Sequence, residues 1–275
     1  GFLIGATAGR TTLAGEGLQH DDGHSQLIAH AMPHVAAYDP SFAYEMAALV
    51  RKGIERMHER GEYIVYYLTI YNENQVQPQF PVGASVGEGI HRGLYKFAEA
   101  DAASSGPRVR LFGSGAIMGE VLKARDLLRE RFGVRAEIWS ATSYSELRRE
   151  ALVVERWNRR HPESAPRTSW MQDQLGSGGA PIVAASDWVT ALPDLLAPWI
   201  DVPYLVLGTD GSRITHAHVI DFKTGSVAQS REAVLEHYRD QMSDYRAAMA
   251  ELTGLPPASI MVSLLMIDRG DVIAA

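Results

Sequence analysis

Two histidines and two aspartates lie within five residues near the start of the chain, in His20-Asp21-Asp22-Gly23-His24. Imidazole and carboxylate groups at this density can ligate a metal ion, although Gly23 and a loop setting give the side chains no fixed helical face. Alternatively, the imidazoles can donate hydrogen bonds to a substrate carboxylate or a developing oxyanion, while an aspartate sets their tautomer and charge. Solvated loop histidines are the plainer interpretation, but the density of the cluster favours a functional site.

A second candidate site lies near the end of the chain, in the sequence VIDFKTG over residues 219–225. Asp221 and Lys223 share one face of a predicted strand, which places a metal-binding carboxylate beside an ammonium that can orient or deprotonate water. Gln241 and Tyr245 lie one helical turn apart on the predicted helix that follows. An ordinary surface ion pair between Asp221 and Lys223 is the alternative.

A glycine-rich turn, Gly113-Ser-Gly-Ala-Ile-Met-Gly119, follows a predicted strand and opens a predicted helix. Glu137 follows about twenty residues later, where dinucleotide-binding folds place an acid that binds ribose. The third glycine comes one position late for the G-x-G-x-x-G fingerprint, and tight strand–helix turns need small residues in any case. We therefore expect Gly113 and Gly115 to make a structural turn without a nucleotide.

Composition excludes several other kinds of site. The chain has 275 residues, 26 Lys and Arg against 33 Asp and Glu, and a formal net charge of −7. This acidic balance argues against a mainly electrostatic coat for nucleic acid and against a basic membrane-surface protein. The absence of cysteine excludes disulfides, thiolate catalysis, cysteine zinc sites and iron–sulfur clusters. No apolar run approaches the roughly 18 residues of a membrane span.

The elements that must position these side chains follow an α/β rhythm. A helix is predicted from Pro40, with Asp39 as its N-cap, to near Gly61, and a strand over residues 62–71. From about residue 107 strands and helices alternate, which predicts a parallel sheet with helices on both faces. The predicted strands are 109–112, 134–138, 181–184 and 204–207, and the predicted helices are 117–128, 144–159 (capped by Ser143) and 188–196 (interrupted at Pro193). After Gly208 the pattern is a strand at 214–223, a long helix at 230–252 and a strand at 259–267.

Residues 1 to about 210 resemble the C-terminal third of the homodimeric first component of pyruvate dehydrogenase. The motifs that carry the resemblance are GATAGRTTL (5–13), GEGLQHDDGHS (15–25), YDPSFAYE (38–45), YYLTIYNEN (66–74), LFGSG (111–115), WSATSYSEL (139–147), ERWN (155–158) and LGTDG (207–211). The resemblance implies that residues 1–85 finish a pyrimidine-binding domain and that residues 86–210 form a transketolase-type C-terminal domain with a parallel sheet.

That family uses thiamine diphosphate and Mg²⁺ to decarboxylate pyruvate and to transfer the acetyl group to lipoamide. His20 falls on the active-site histidine of the family, so the resemblance implies that His20 holds the substrate or its thiamine adduct, with Asp22 and His24 beside it. Asp21 is usually Glu in the family. The implied partners are a second copy in a homodimer and the dihydrolipoamide acetyltransferase core with its lipoyl domains, in the cytoplasm. No cofactor-binding residue is assigned.

The family's diphosphate and Mg²⁺ motif, Gly-Asp-Gly followed by Asn, does not occur in residues 1–275, and neither does the glutamate that activates the cofactor's pyrimidine ring. We therefore expect a fragment of a longer protein that is catalytically incomplete alone. After the LGTDG motif the family continues into FGRSD, whereas this chain continues with Ser212-Arg-Ile-Thr. The sequence therefore changes character near residues 208–212.

From there the tail, residues 211–275, resembles the last part of the RecB-type PD-(D/E)xK nuclease core. The motifs are IDFKTG from Ile220 and QMSDYRAAM from Gln241. This resemblance implies a small α/β fragment in which Asp221 ligates Mg²⁺, Lys223 is the catalytic lysine, and Gln241 and Tyr245 support the site, with DNA as the substrate. The core's earlier acidic residues cannot be placed, so we expect no independent nuclease activity. A third hypothesis is a non-catalytic dimerisation module.

Overall fold

The computed structural model describes residues 1–13, 20–72, 74–81, 83, 85–101, 105–177, 179–209, 217–223, 231–253, 256–266 and 271–274. The chain forms two compact units, residues 1–211 and residues 212–275. Each unit is built on α/β elements, as the sequence predicts. No helix in the described ranges is long and apolar enough to cross a membrane.

The first sheet has three parallel strands in the order β1-β3-β2. Its strands are β1 (Phe2–Gly5), β2 (Val35–Tyr38) and β3 (Val65–Thr69), and its helices are α1 (Ser25–His30) and α2 (Ala43–Ile54). Tyr66 and Leu68 of β3 are buried in a cluster with Leu49 of α2, because alternate strand residues face the same layer. The strand predicted at residues 62–71 is thus confirmed over a shorter range.

The predicted start of the first long helix is wrong. Helix α2 begins at Ala43, not at Pro40, and Asp39 is not its N-cap. The side chain of Glu45 accepts hydrogen bonds from the backbone N–H groups of Ser41 and Phe42 instead. Asp39 cannot cap this helix because its carboxylate already accepts hydrogen bonds from other parts of the unit, described below.

The second sheet has five strands in the order β4-β6-β5-β7-β8. Its strands are β4 (Tyr95–Ala98), β5 (Arg108–Gly113), β6 (Arg135–Ser140), β7 (Ile182–Val189) and β8 (Tyr204–Thr209). The helices of this region are α3 (Val86–Arg92), α4 (Met118–Phe132), α5 (Tyr144–Arg160), α6 (Trp170–Leu175) and α7 (Ala191–Asp194). All neighbouring pairs are parallel except β4 and β6, so β4 adds an antiparallel edge to the predicted parallel sheet.

Helices cover both faces of this sheet, as predicted. Leu111 packs with Met118 of α4, whereas the next residue, Phe112, packs on the opposite face with Leu147 of α5. The helix predicted from residue 188 is wrong at its start, because β7 continues to Val189 and α7 is only four residues long. Trp188 belongs to the strand and is fully buried there.

The second unit contains a three-stranded sheet in the order β11-β10-β9. Its elements are β9 (Ala217–Lys223), α8 (Arg231–His237), α9 (Arg239–Thr253), β10 (Ile260–Met266) and β11 (Asp271–Ala274). Strand β9 runs parallel to β10, and the described core consists of Val234, Met242, Ile260 and Val262. The predicted strand–helix–strand order is confirmed, but the long helix is divided at Tyr238 into α8 and α9.

Candidate functional site

The carboxyl end of β7 binds the segment that leads toward the predicted histidine cluster. Asp187 is only 4% exposed. Its carboxylate accepts hydrogen bonds from the backbone N–H groups of Arg10 at 2.7 Å and Thr11 at 2.9 Å, and from the Thr11 hydroxyl at 2.6 Å. Gly9 has a φ of +84°, and a Cβ atom there would overlap the Asp187 carboxylate. Glycine is therefore required where the backbone passes this carboxylate.

The histidine segment, residues 20–24, lies against this anchored backbone. The N–H of Asp22 donates to the carbonyl of Gly9 at 3.0 Å, and the N–H of Val189 donates to the carbonyl of Gly23 at 2.9 Å. Arg10 and Asp21 form an ion pair at 3.4 Å. The end of β7 thus contacts the histidine segment directly through Val189 and indirectly through the backbone that Asp187 holds.

The structure gives different roles to the predicted residues of this segment. His20 and His24 are exposed. His24 is the N-cap residue of α1, and Asp22 caps the helix from two residues earlier. Its carboxylate accepts hydrogen bonds from the N–H groups of His24 at 3.0 Å and Ser25 at 2.9 Å and from the Ser25 hydroxyl. This cap fixes the backbone of the segment and leaves both imidazoles facing solvent, where they can act as hydrogen-bond or proton-transfer groups.

A metal ion does not fit the described part of this site. Among the described ranges, no group of three or more His, Asp or Glu side chains lies close enough together to hold one. Asp22 is engaged in the helix cap and Asp21 in the ion pair with Arg10. The described residues therefore give no three-ligand group for the metal site considered for the histidine cluster.

A second buried carboxylate, Asp39, lies directly after the end of β2. The sequence predicted only a helix N-cap at this residue. Asp39 is 3% exposed. It accepts hydrogen bonds from Thr69 Oγ1 at 2.6 Å, from the Tyr71 hydroxyl and from Trp188 Nε1 at 2.8 Å. Burial raises the pKa of Asp39, and these three donors partly oppose that effect. Its place directly after a buried parallel strand was the available signal, since polar groups at such ends point to sites.

The glycine-rich turn is filled by protein atoms. Gly115 has a φ of +49°, and a Cβ atom there would lie 2.7 Å from the Asp39 carboxylate and would overlap the Tyr71 hydroxyl. A Cβ atom on Gly113 would lie 3.0 Å from Val121 of α4. Close packing therefore accounts for both glycines, in agreement with a structural turn, and the absence of a nucleotide at this turn stays a prediction.

Glu137 is engaged elsewhere and does not lie free for a ribose. It is 3% exposed, forms an ion pair with Arg108 and lies 3.4 Å from Arg110 Nε. The Trp139 indole N–H also donates to it at 3.3 Å. Its two arginine neighbours explain a buried carboxylate in this sheet without any ligand.

In the second unit, the structure supports one part of the predicted site geometry. Gln241 Nε2 donates to the Tyr245 hydroxyl at 2.8 Å, so the two side chains share one face of α9 as predicted. The backbones of Asp221 and Lys223 lie two residues apart on β9. Their side chains, and with them the predicted metal ligand and catalytic lysine, lie outside the described residues.

Comparisons with known proteins divide the chain at the same place. Residues 1–78 match the family "Pyruvate dehydrogenase E1 component middle domain", and residues 93–212 match "Transketolase-like TK C-terminal domain". The pyruvate dehydrogenase E1 component of Pseudomonas aeruginosa is 48% identical over 212 residues, which are 77% of this chain and 24% of that protein. The protein of the same name from Cupriavidus necator is 46% identical over 211 residues, 77% of this chain and 23% of that protein.

The fold also has a counterpart among solved structures. Transketolase from Campylobacter jejuni superposes with a TM-score of 0.52 and 14% identity, covering 75% of this chain and 26% of that one. At this identity the likeness concerns the fold alone. The chain spans about a quarter of the length of the curated relatives it matches, and neither family model extends past residue 212.

Proposed function

Over residues 1–212 the chain resembles the C-terminal part of the pyruvate dehydrogenase E1 component, and on this premise we propose that these residues supply the histidine segment of such an enzyme. The proposed reaction is the oxidative decarboxylation of pyruvate with acetyl transfer to lipoamide. His20 is the proposed catalytic residue, with His24 and Asp22 beside it. The resemblance at 48% identity, together with the exposed imidazoles on a fixed backbone, supports this assignment.

The histidine segment suits a role in handling protons and substrate oxygens. An imidazole can act as a hydrogen-bond donor and as a general acid or base, so His20 can donate a hydrogen bond to a substrate carboxylate or exchange a proton with a developing oxyanion. Asp22 acts on the backbone of the segment through its cap of α1, and His24 lies at the start of that helix. We assign Asp22 a positioning role and the two histidines the contacts with substrate.

The cofactor requirement follows from the resemblance and not from the described residues. Thiamine diphosphate, when bound, would supply the nucleophile that adds to pyruvate and the electron sink that decarboxylation needs. Among the described residues no group of three or more His, Asp or Glu side chains could hold a metal ion, so we assign no residue of this chain to the cofactor. We propose that the chain works only when the remainder of an E1-type enzyme supplies that site, as a homodimer in the cytoplasm that transfers acetyl groups to the lipoyl domains of a dihydrolipoamide acetyltransferase.

A chimera tests this proposal. Residues 1–212 replace the matching 212 residues of the Pseudomonas aeruginosa relative, and turnover of pyruvate is measured with thiamine diphosphate, Mg²⁺ and an artificial electron acceptor. We expect pyruvate-dependent turnover, and we expect His20→Ala to lower it by about 10²- to 10⁴-fold, the usual contribution of positioned proton transfer.

The matched control is His58→Ala, since His58 is also exposed but lies beyond the end of α2. We expect turnover like that of the unsubstituted chimera. Equal turnover in the His20→Ala and His58→Ala chimeras would remove His20 from the mechanism. A folded chimera without turnover would favour the non-catalytic dimerisation module.

The nuclease hypothesis for the tail stays a separate prediction. Its support is the strand–helix–strand order and the hydrogen bond between Gln241 and Tyr245 at 2.8 Å. That hydrogen bond joins two residues of one helix and so does not itself identify a DNA substrate. Asp221 and Lys223 are the residues that a test must change.

A further inference from the structure

Asp187 lies in the interior of the protein, yet both of its carboxylate oxygens are used by one short stretch of backbone far away in sequence. One oxygen accepts the N–H groups of Arg10 at 2.7 Å and Thr11 at 2.9 Å, and the other accepts the Thr11 hydroxyl at 2.6 Å. Hydrogen bonds to an ionised acceptor are roughly twice as strong as neutral ones. A buried carboxylate that accepts three hydrogen bonds from two adjacent residues restrains their backbone.

The anchored stretch in turn supports the histidine segment. The carbonyl of Gly9 accepts the N–H of Asp22 at 3.0 Å, and the side chains of Arg10 and Asp21 meet at 3.4 Å. Two residues after Asp187 on the same strand, the N–H of Val189 donates to the carbonyl of Gly23 at 2.9 Å. The end of β7 therefore contacts the histidine segment in two ways: directly at Gly23, and through residues 9 and 10 at Asp21 and Asp22.

We propose that Asp187 is a positioning residue for His20: it fixes the backbone of residues 9–11, and through it the place of the histidine segment, without contacting the substrate itself. The consequence for turnover rests on the proposed function of His20, whereas the structural part of the inference does not. Sequence analysis did not single out Asp187, because it placed residues 181–184 in a strand and residues 188–196 in a helix and left this carboxylate between them.

Hydrogen exchange and NMR on the full 275-residue chain test the structural part. Asp187→Asn keeps the shape of the side chain but turns an amide N–H₂ toward backbone donors. We expect the amides of Arg10, Thr11 and Asp22 to exchange about 10- to 100-fold faster, which corresponds to the loss of a charge-assisted hydrogen bond and local opening. We also expect the Cε1–H signal of His20 to shift.

The matched control is Glu137→Gln, which removes another buried carboxylate from the same sheet. Glu137 is 3% exposed and is engaged with arginines of β5, not with the histidine segment. We expect neither the three amides nor the His20 signal to change. If Asp187→Asn does not fold, Thr11→Val removes the hydroxyl donor alone, and we expect smaller changes in the same amides and the same signal.

The outcomes separate the two claims. Faster exchange at Arg10 and Thr11 with an unchanged His20 signal would overturn the positioning role and leave the proposed function standing. A shifted His20 signal in Asp187→Asn, combined with normal turnover of the His20→Ala chimera, would leave the positioning role standing and overturn the proposed function. In the chimera, we expect Asp187→Asn to lower kcat by about 10-fold or more and Glu137→Gln to leave it within about 2-fold.

Discussion

The first unit buries several carboxylates, whereas the described carboxylates of the second unit are exposed. In residues 1–211, Asp39, Glu45 and Asp187 are buried, and each accepts hydrogen bonds from distant parts of the chain. In residues 212–275, the carboxylates whose side chains are described are all exposed on the helices α8 and α9. They are Glu232, Glu236, Asp240 and Asp244.

This difference indicates which parts of the chain hold their side chains in one fixed arrangement. A buried carboxylate restricts its surroundings, because every donor that faces it must be satisfied in one arrangement. An exposed carboxylate imposes no such restriction, since water can replace any partner. The histidine segment of the first unit is held by a backbone that the buried Asp187 anchors, whereas the described carboxylates of the second unit lie exposed on α8 and α9.

Removal of the Asp39 carboxylate should have the largest effect on this comparison. Asp39→Ala leaves the buried donors of Tyr71 and Trp188 without the acceptor that they share. We expect the free energy of unfolding to fall by about 3–5 kcal/mol, measured by urea denaturation. Asp126→Ala is the control, because the Asp126 side chain is 43% exposed and only pairs with surface arginines. If the free energy of unfolding of Asp39→Ala falls by less than about 1 kcal/mol, buried carboxylates do not stabilise the first unit more than exposed ones do.

The glycine-rich turn offers a matched pair with the next largest effect. Gly115→Ala forces a Cβ atom against Asp39 and Tyr71 at a positive φ, so we expect a loss of about 2–4 kcal/mol in the free energy of unfolding. Gly119→Ala introduces a Cβ atom into open space on α4, and we expect a gain of about 0.5–1 kcal/mol. Equal effects of the two substitutions would contradict the packing described for this turn.

The pH dependence of stability should carry the signature of Glu45. Burial raises the pKa of Glu45 above its ordinary value of 4.5, so the folded chain keeps this proton to a higher pH than the unfolded chain does. The stabilisation is therefore complete below pH 4.5 and is lost as the pH rises toward the folded pKa. Relative to Glu45→Gln, the wild-type chain should lose up to about 1.4 kcal/mol per pH unit above that value. Unfolding curves of both proteins from pH 5 to 8 measure this, and a constant difference would contradict it.

The smallest effect is expected for the tail. We predict no measurable Mg²⁺-dependent cleavage of linear DNA by the chain, and therefore no change in Asp221→Ala or Lys223→Ala. Mg²⁺ is usually held by one or two carboxylates plus substrate phosphates, and the sequence offers Asp221 as the one secure ligand. Degradation that disappears in both variants would make the nuclease the principal function and reverse the comparison.

Local rules could predict much of the fold. Ser143 caps α5, with its hydroxyl accepting the N–H of Glu146 at 3.1 Å, because N-caps depend on neighbours in sequence. Strand–helix alternation likewise fixes the parallel sheet. Asp39 and Asp187 could not be placed in the same way, since their partners Trp188 and Thr11 lie about 150 to 180 residues away in the chain. Long-range hydrogen bonds of buried acids leave no periodicity to detect.

From the sequence, His20 could be identified only by its match to a family motif. Its support comes from Gly9, Val189 and Asp187, which sequence reasoning did not connect to it. Loop residues are positioned by parts of the fold that are distant in sequence. A loop motif therefore identifies candidate functional side chains but does not predict where they lie in space.

The central claim is that residues 9–11 and the end of β7 hold the histidine segment. The most direct measurement is hydrogen exchange in a chain that ends at Gly211, compared with the full 275 residues. We predict that the amides of Arg10, Thr11 and Asp22 keep their protection within about 3-fold and that the shortened chain still unfolds cooperatively. Loss of that protection in the shortened chain, with the full chain protected, would contradict the claim.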